Sequence, residues 1–309
     1  MTTTTPRRII LDVDTGTDDA IALGLAARSP GVELVAVTTV AGNVILPYTT
    51  DNTLRVLHHL GATDTAIHAG FSRPLARPLH DASEVHGNSG LGSLVLPESP
   101  AEARYPSAPQ LIVDRLTAEP GAITLVFVGP LTNLAAAIAL EPSLPELMAG
   151  LVVMGGALGP GNVTHYAEFN IYCDPEAAAQ VFAACPLTMV GLDVSHQTIL
   201  GRAAWERLAA IDTPEATLVR GAAADHFERR GKEGMYLHDP LALMVAIDPT
   251  LCEMKRGRVK VETATAWCAG QTTLTESEDG PHQVCVGVDA PRALRVMSEV
   301  LSLPLTSEG

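Results

Sequence analysis

The chain has 309 residues, of which 47% are hydrophobic but only 4% aromatic, and it carries a formal net charge of −15. That length accommodates one large α/β domain or two smaller ones; with no repeat and no low-complexity linker, a single domain over residues 1–309 is expected. An acidic balance without any basic run excludes binding to a nucleic-acid phosphate backbone.

The first predicted element is the apolar strand Ile9–Val13, followed by a helix over Asp19–Arg28. Between and around them stand Asp12, Asp14, Asp18 and Asp19, with a permissive Gly16 in the turn. Carboxylates crowded on one strand-to-helix turn repel one another, so ionising all of them requires a compensation. One compensation is solvent exposure, with Asp18 and Asp19 favouring the helix N-terminus. The other is a hard divalent cation bound by oxygen ligands, with Asp14 and Asp19 on the ion and Asp14 placed to take a proton from a water it holds.

A second strand, Leu34–Val40, leads through Ala41-Gly42-Asn43 to a helix over Thr50–Leu60. The Pro- and Gly-rich stretch from Gly70 to Pro109 is expected to form loops over the strand ends. It contains His86-Gly87-Asn88-Ser89-Gly90-Leu91-Gly92, which reads equally as a mobile lid or as a turn-rich surface loop. A helix over Gln110–Ala118 precedes the strand Ile123–Val128, the turn Gly129-Pro130-Leu131-Thr132-Asn133 and the helix Leu134–Leu140. The strand Leu151–Met154 ends at Gly155-Gly156.

Asn162, Glu168 and Asn170 follow within nine residues; their amides and carboxylate suit a polyhydroxyl ligand or, equally, a solvated loop. A helix over Pro175–Ala184 leads to the strand Leu187–Val194. In Leu237-His238-Asp239-Pro240 the order Asp then Pro is a helix start, so Asp239 taken alone reads as an N-cap and His238 as a structural histidine. The last part, Arg258–Thr265 and Val284–Val288, reads as an antiparallel addition closed by the helix Pro291–Leu301.

Strands alternating with helices predict an α/β fold with a mostly parallel central sheet flanked by helices. The acidic and amide residues then gather at the carboxyl edge of the sheet, where open α/β sheets bind ligands. Five cysteines without a CxxC pair argue against a disulfide framework or a thiolate zinc site. With no signal-peptide core after Met1 and no apolar run of membrane-spanning length, a cytoplasmic protein is expected.

Taken together and in order, these segments resemble the nucleoside hydrolase family, the inosine–uridine-preferring N-ribohydrolases, over nearly the whole chain. The resemblance rests on Asp12–Asp19, Ala41-Gly42-Asn43, His86-Gly87, Val128–Asn133, Met154-Gly155-Gly156, Asn162 with Ala167-Glu168-Phe169-Asn170, and His238-Asp239-Pro240. It implies a Rossmann-type core and the calcium-dependent hydrolysis of ribonucleosides to ribose and free base. It also implies Ca²⁺ held by Asp14, Asp19, Asp239 and the Val128 carbonyl, which lifts Asp239 from cap to ligand. Asp14 is then the general base and His238 the group assisting the leaving base. Asp18, Asn43, Asn162, Glu168 and Asn170 hold the ribose, Met154 lies against it, and His86 lines the base pocket. A homodimer or homotetramer is implied as well.

The chain departs from the family pattern at Thr15, Thr17 and His165, none of which is an implied ligand. Neither Trp205 nor Trp267 is beside His86 or His238 in sequence, which argues against the purine-selective relatives, and the retained His238 favours the inosine–uridine or pyrimidine-preferring branch. Phe227 and Tyr236 are candidates for base contacts or for packing. Haloacid dehalogenase-type phosphatases also open with a strand and DxD. Their usual Thr or Val two residues after the second Asp is Gly16 here, and the Asp18-Asp19 pair has no part in that chemistry. A nucleoside-binding protein without catalysis is the remaining alternative.

Overall fold

The computed structural model describes residues 5–306. Its strands are β1 Arg7–Val13, β2 Val32–Thr39, β3 Ile67–Ala69, β4 Ile123–Phe127, β5 Gly150–Met154, β6 Leu187–Val190, β7 Ile199–Gly201, β8 Gly234–Tyr236, β9 Cys252–Val261, β10 Thr272–Glu276 and β11 His282–Val288. Within the described residues nine of them form one sheet in the order β10-β9-β11-β6-β5-β4-β1-β2-β3, and β7 pairs with β8 apart from it. Pairing is parallel from β3 through β11 and antiparallel for β9 against β11 and β10. The expected parallel sheet with an antiparallel C-terminal addition is therefore observed.

β1 reads as a continuous apolar run because both of its faces are covered. Ile9, Leu11 and Val13 join one core with the helices Thr17–Arg28, Pro214–Ala224, His238–Ile247 and Ala290–Leu301. Ile10 joins the other, with residues of Ala108–Ala118, Thr132–Leu140 and Pro175–Ala184. The chain winds outward from β1 to β3, then returns to β4 on the other side of β1. That reversal opens a crevice outside the carboxyl ends of β1 and β4, where Asp14 and Val128 follow their strands.

Several element bounds differ from those expected, for identifiable reasons. The helix Leu46–His59 starts before Thr50 and Ala108–Ala118 before Gln110, because Pro47 and Pro109 fit the first helical turn. Between Gly70 and Ala108 the chain forms only the one-turn helix Ser83–His86. β6 stops at Val190, four residues before the expected Val194, and Leu192–Ser195 turns helical. There Asp193 accepts the N–H groups of Leu158 (2.8 Å) and Gly159 (3.0 Å), tying the turn to the loop after β5. β9 begins at Cys252, six residues before Arg258, because its first half pairs with β11 and its second half with β10.

All five cysteines are free. Among the described residues no helix is long and apolar enough to cross a membrane.

Candidate active site

The helix Thr17–Arg28 starts at Gly16 with two acidic residues, Asp18 and Asp19, in its first turn. Asp19 does help form this helix start. Its Oδ2 accepts the Gly16 N–H at 2.9 Å and the Asn43 side-chain amide at 3.0 Å, and its Oδ1 accepts the Asp14 N–H at 3.1 Å. These carboxylates are not solvated, however, since Asp14 and Asp19 are fully buried and Asp18 nearly so.

Asp14 follows β1 and is held by the turn after the neighbouring strand β2. Its Oδ2 accepts the Asn43 backbone N–H at 2.7 Å, while its Oδ1 is buried with no partner among the described residues. Gly42 and Gly129 make room for this carboxylate: a Cβ on Gly42 would lie 2.1 Å from Oδ2, and one on Gly129 2.8 Å from Oδ1. Asp239 comes from a distant part of the chain, in the first turn of His238–Ile247. It makes no capping hydrogen bond, so the local reading as an N-cap does not hold. Asp174, in the same Asp-Pro context, does cap its helix, accepting the Ala177 N–H at 3.1 Å.

Asp18, Asp19 and Asp239 each offer a carboxylate oxygen within 4.8 Å of the others. Among the described residues no Lys or Arg pairs with any of these groups or with Asp14. Burial, and then their mutual repulsion, pushes Asp14 and Asp239 well above the ordinary carboxylate range. The same causes raise Asp18 to about 7. Asp19 is also raised by burial, against the hydrogen bonds it accepts. A buried set of hard oxygen donors, one of them orphaned, without a basic partner is fitted to a divalent cation.

Above this floor opens a cavity of about 460 Å³, a volume suited to a small molecule. Its lining includes Asp18, Asn43, His86, Val128, Met154, Asn162, Glu168, Asn170, His238 and Asp239, so the sequence-predicted residues converge. Asp14 and Asp19 stand behind the lining, joined to it through Asn43. The Val128 carbonyl already accepts the Asn170 amide at 2.7 Å, and the same amide reaches the Met154 carbonyl at 3.1 Å.

The segment read as a possible solvated loop is largely structured. Glu168 caps the helix Phe169–Cys173 through the Asn170 and Ile171 N–H groups, and also accepts the Gly156 N–H at 3.0 Å. Burial nonetheless raises its carboxyl to about 7. Asn162 is exposed and accepts the Phe169 N–H at 2.9 Å.

Two histidines of the lining are held neutral by burial. His86 accepts from the Thr17 N–H at 3.1 Å, and burial lowers it to about 4. Burial likewise lowers His238 to about 3, with neighbouring histidines adding to the effect. Tyr236 lines the cavity with its ring 4.4 Å from that of His196. Phe227 does not line it; the ring is buried, stacked on Trp205 at 4.9 Å, and is packing. Trp267 is exposed and lies against Tyr166.

Sequence reasoning missed His196 and His226, which also line the cavity. Ending β6 at Gly191 would have put His196 at the same sheet edge as Asp14. His226 carries no comparable signal.

Residues 9–295 match the family described as inosine-uridine preferring nucleoside hydrolase. The chain belongs to this nucleoside hydrolase family. It is 38% identical over 277 residues to an inosine-uridine preferring nucleoside hydrolase of Leishmania major, covering 87% of this chain and 88% of the relative. It is 41% identical over 273 residues to the pyrimidine-specific ribonucleoside hydrolase RihA of Enterobacter sp., covering 86% and 87%. Its fold matches a purine-preferring ribonucleoside hydrolase from Gardnerella vaginalis with a TM-score of 0.90 at 32% identity, covering 96% and 98%. Like these nucleoside hydrolases, the chain is an N-ribohydrolase, and its buried aspartates form the group that could hold a metal.

Proposed function

We propose that the chain hydrolyses the N-glycosidic bond of ribonucleosides in a calcium-dependent reaction, with inosine and uridine or other pyrimidine nucleosides preferred. The observation that carries this reading is the orphaned Asp14 Oδ1 in a buried carboxylate set behind a nucleoside-sized cavity.

Asp14, Asp19, Asp239 and the Val128 carbonyl would hold the ion in this reading. The Val128 oxygen keeps a second lone pair free beside its bond to Asn170. The ion would supply Lewis acidity there, making a nearby water easier to deprotonate.

The protein's own groups then divide the work. Asp14 Oδ1, which has no partner among the described residues, takes a proton from the attacking water. The water oxygen bonds to the anomeric carbon, and the electron pair of the C–N bond leaves with the base. Positive charge developing on the sugar is stabilised by the surrounding carboxylates. Asp18, Asn43, Asn162, Glu168 and Asn170 orient the ribose hydroxyls, and Met154 lies against the ring. His86 lines the base end. The neutral His238 ring donates a hydrogen bond to the departing base, which takes up its proton from solvent, and the products are ribose and free base. The base preference is supported by relatives named for inosine-uridine or pyrimidine substrates and by a cavity lined by no tryptophan.

The test is Asp14→Asn. Ribose release from uridine or inosine should fall about a thousandfold or more with the circular-dichroism spectrum unchanged. Turnover at the parent rate would remove Asp14 from the mechanism.

A further inference from the structure

Ser195 ends the short helix Leu192–Ser195, and His238 opens the helix His238–Ile247. Two features of the fold bring these segments together. β7 pairs with β8 in register Ile199 to Tyr236, and the Leu237 N–H donates to the Thr198 carbonyl at 2.9 Å. Ser195 is thereby fully buried with its Oγ 2.8 Å from His238 Nδ1. The His238 ring also lies near His196 at 5.6 Å and Tyr236 at 5.7 Å, which limits its rotation.

This hydroxyl has no other partner among the described residues. If Nδ1 carried the hydrogen, Ser195 would accept it. Its own hydroxyl hydrogen would then be buried without an acceptor, which folded proteins rarely leave. If the serine donates, both groups are satisfied and the neutral imidazole must carry its hydrogen on Nε2. Nε2 has no partner among the described residues, and the ring lines the cavity.

We propose that Ser195 is a positioning residue: its hydroxyl donates to His238 Nδ1, fixing the tautomer and orientation that present Nε2–H to the leaving base. The proposal rests on the reading that His238 faces the base. It adds the reason why this histidine is a hydrogen donor rather than an acceptor there. A donor at that point favours bases with an acceptor atom toward the wall, such as a pyrimidine carbonyl oxygen or a purine ring nitrogen.

The experiment records long-range ¹H–¹⁵N spectra of the full chain labelled at histidine, for the parent, Ser195→Ala and Ser195→Thr. His238→Gln assigns the signal. The parent should show hydrogen on Nε2 and a bare Nδ1, and Ser195→Ala a mixture of tautomers. In Ser195→Ala kcat should fall about tenfold or more while KM changes less than about threefold. Ser195→Thr, which keeps the hydroxyl, should restore both signatures. A parent spectrum with hydrogen on Nδ1, or a Ser195→Ala variant with the parent's spectrum and kcat, would overturn the proposal. The spectra need no turnover. A parent that releases no ribose therefore refutes the functional reading and leaves the tautomer assignment to be judged separately.

Discussion

Calcium should stabilise the protein in a way that depends on pH with a defined sign. Burial raises Asp14, Asp18, Asp19 and Asp239 above ordinary carboxylates, Asp18 to about 7. Without a cation the folded chain binds more protons there than the unfolded chain does. The raised groups therefore support the fold below their unfolded pKa, and that support is lost as pH rises toward 7. A divalent ion offsets the loss because it takes the deprotonated groups. At about pH 7.5, Ca²⁺ at about 100 times its Kd adds about 2.7 kcal/mol. For a chain of this size that is a rise in Tm of about 5 °C. At about pH 5.5 an ion beside Asp18, whose carboxyl is raised to about 7 and lies within 4.8 Å of those of Asp19 and Asp239, must displace its proton, which weakens binding about thirtyfold and leaves less than about 1 kcal/mol. Differential scanning calorimetry on chelator-stripped protein, at the two pH values and one calcium concentration, measures both gains. Equal gains, a larger gain at the lower pH, or none at either would refute the assignment of these carboxylates to a cation.

Two further outcomes follow from the packing around the site. Gly42→Ala would drive a Cβ to 2.1 Å from Asp14 Oδ2, so ribose release should fall about a hundredfold or more. Gly201→Ala, which meets nothing within 4 Å, is the control and should retain the parent rate. Phe227→Ala removes a buried ring from its stack on Trp205 and should cost about 3–5 kcal/mol in denaturant unfolding. Its ranking of nucleoside substrates should not change; a changed ranking would return Phe227 to the base pocket.

The fold was legible where local pattern and tertiary role agree. β1 is apolar on both faces because both are covered, and Asp174-Pro175 starts a helix by local grammar alone. The three-residue strands β3, β7 and β8 are too short to carry a pattern and exist through their pairing. The site was legible as an ordered set of motifs rather than residue by residue. Asp239 shares its Asp-Pro context with Asp174, yet only Asp174 caps a helix. The difference is the nearby Asp18 and Asp19, which no local window contains. Ser195 and His196 were hidden by reading β6 through to Val194, past the turn that Gly191 begins. Phe227 stayed open to a base-contact reading because its burial against Trp205 depends on a separate helix, Arg202–Arg207.

The most direct test of the central claim is ribose release from inosine, adenosine, guanosine, uridine and cytidine, with Ca²⁺ and with excess chelator. The account predicts release that the chelator abolishes and added Ca²⁺ restores, fastest with inosine, uridine or cytidine. Release unaffected by the chelator would contradict the calcium assignment. No release from any of the five by folded, calcium-loaded protein would contradict hydrolysis itself.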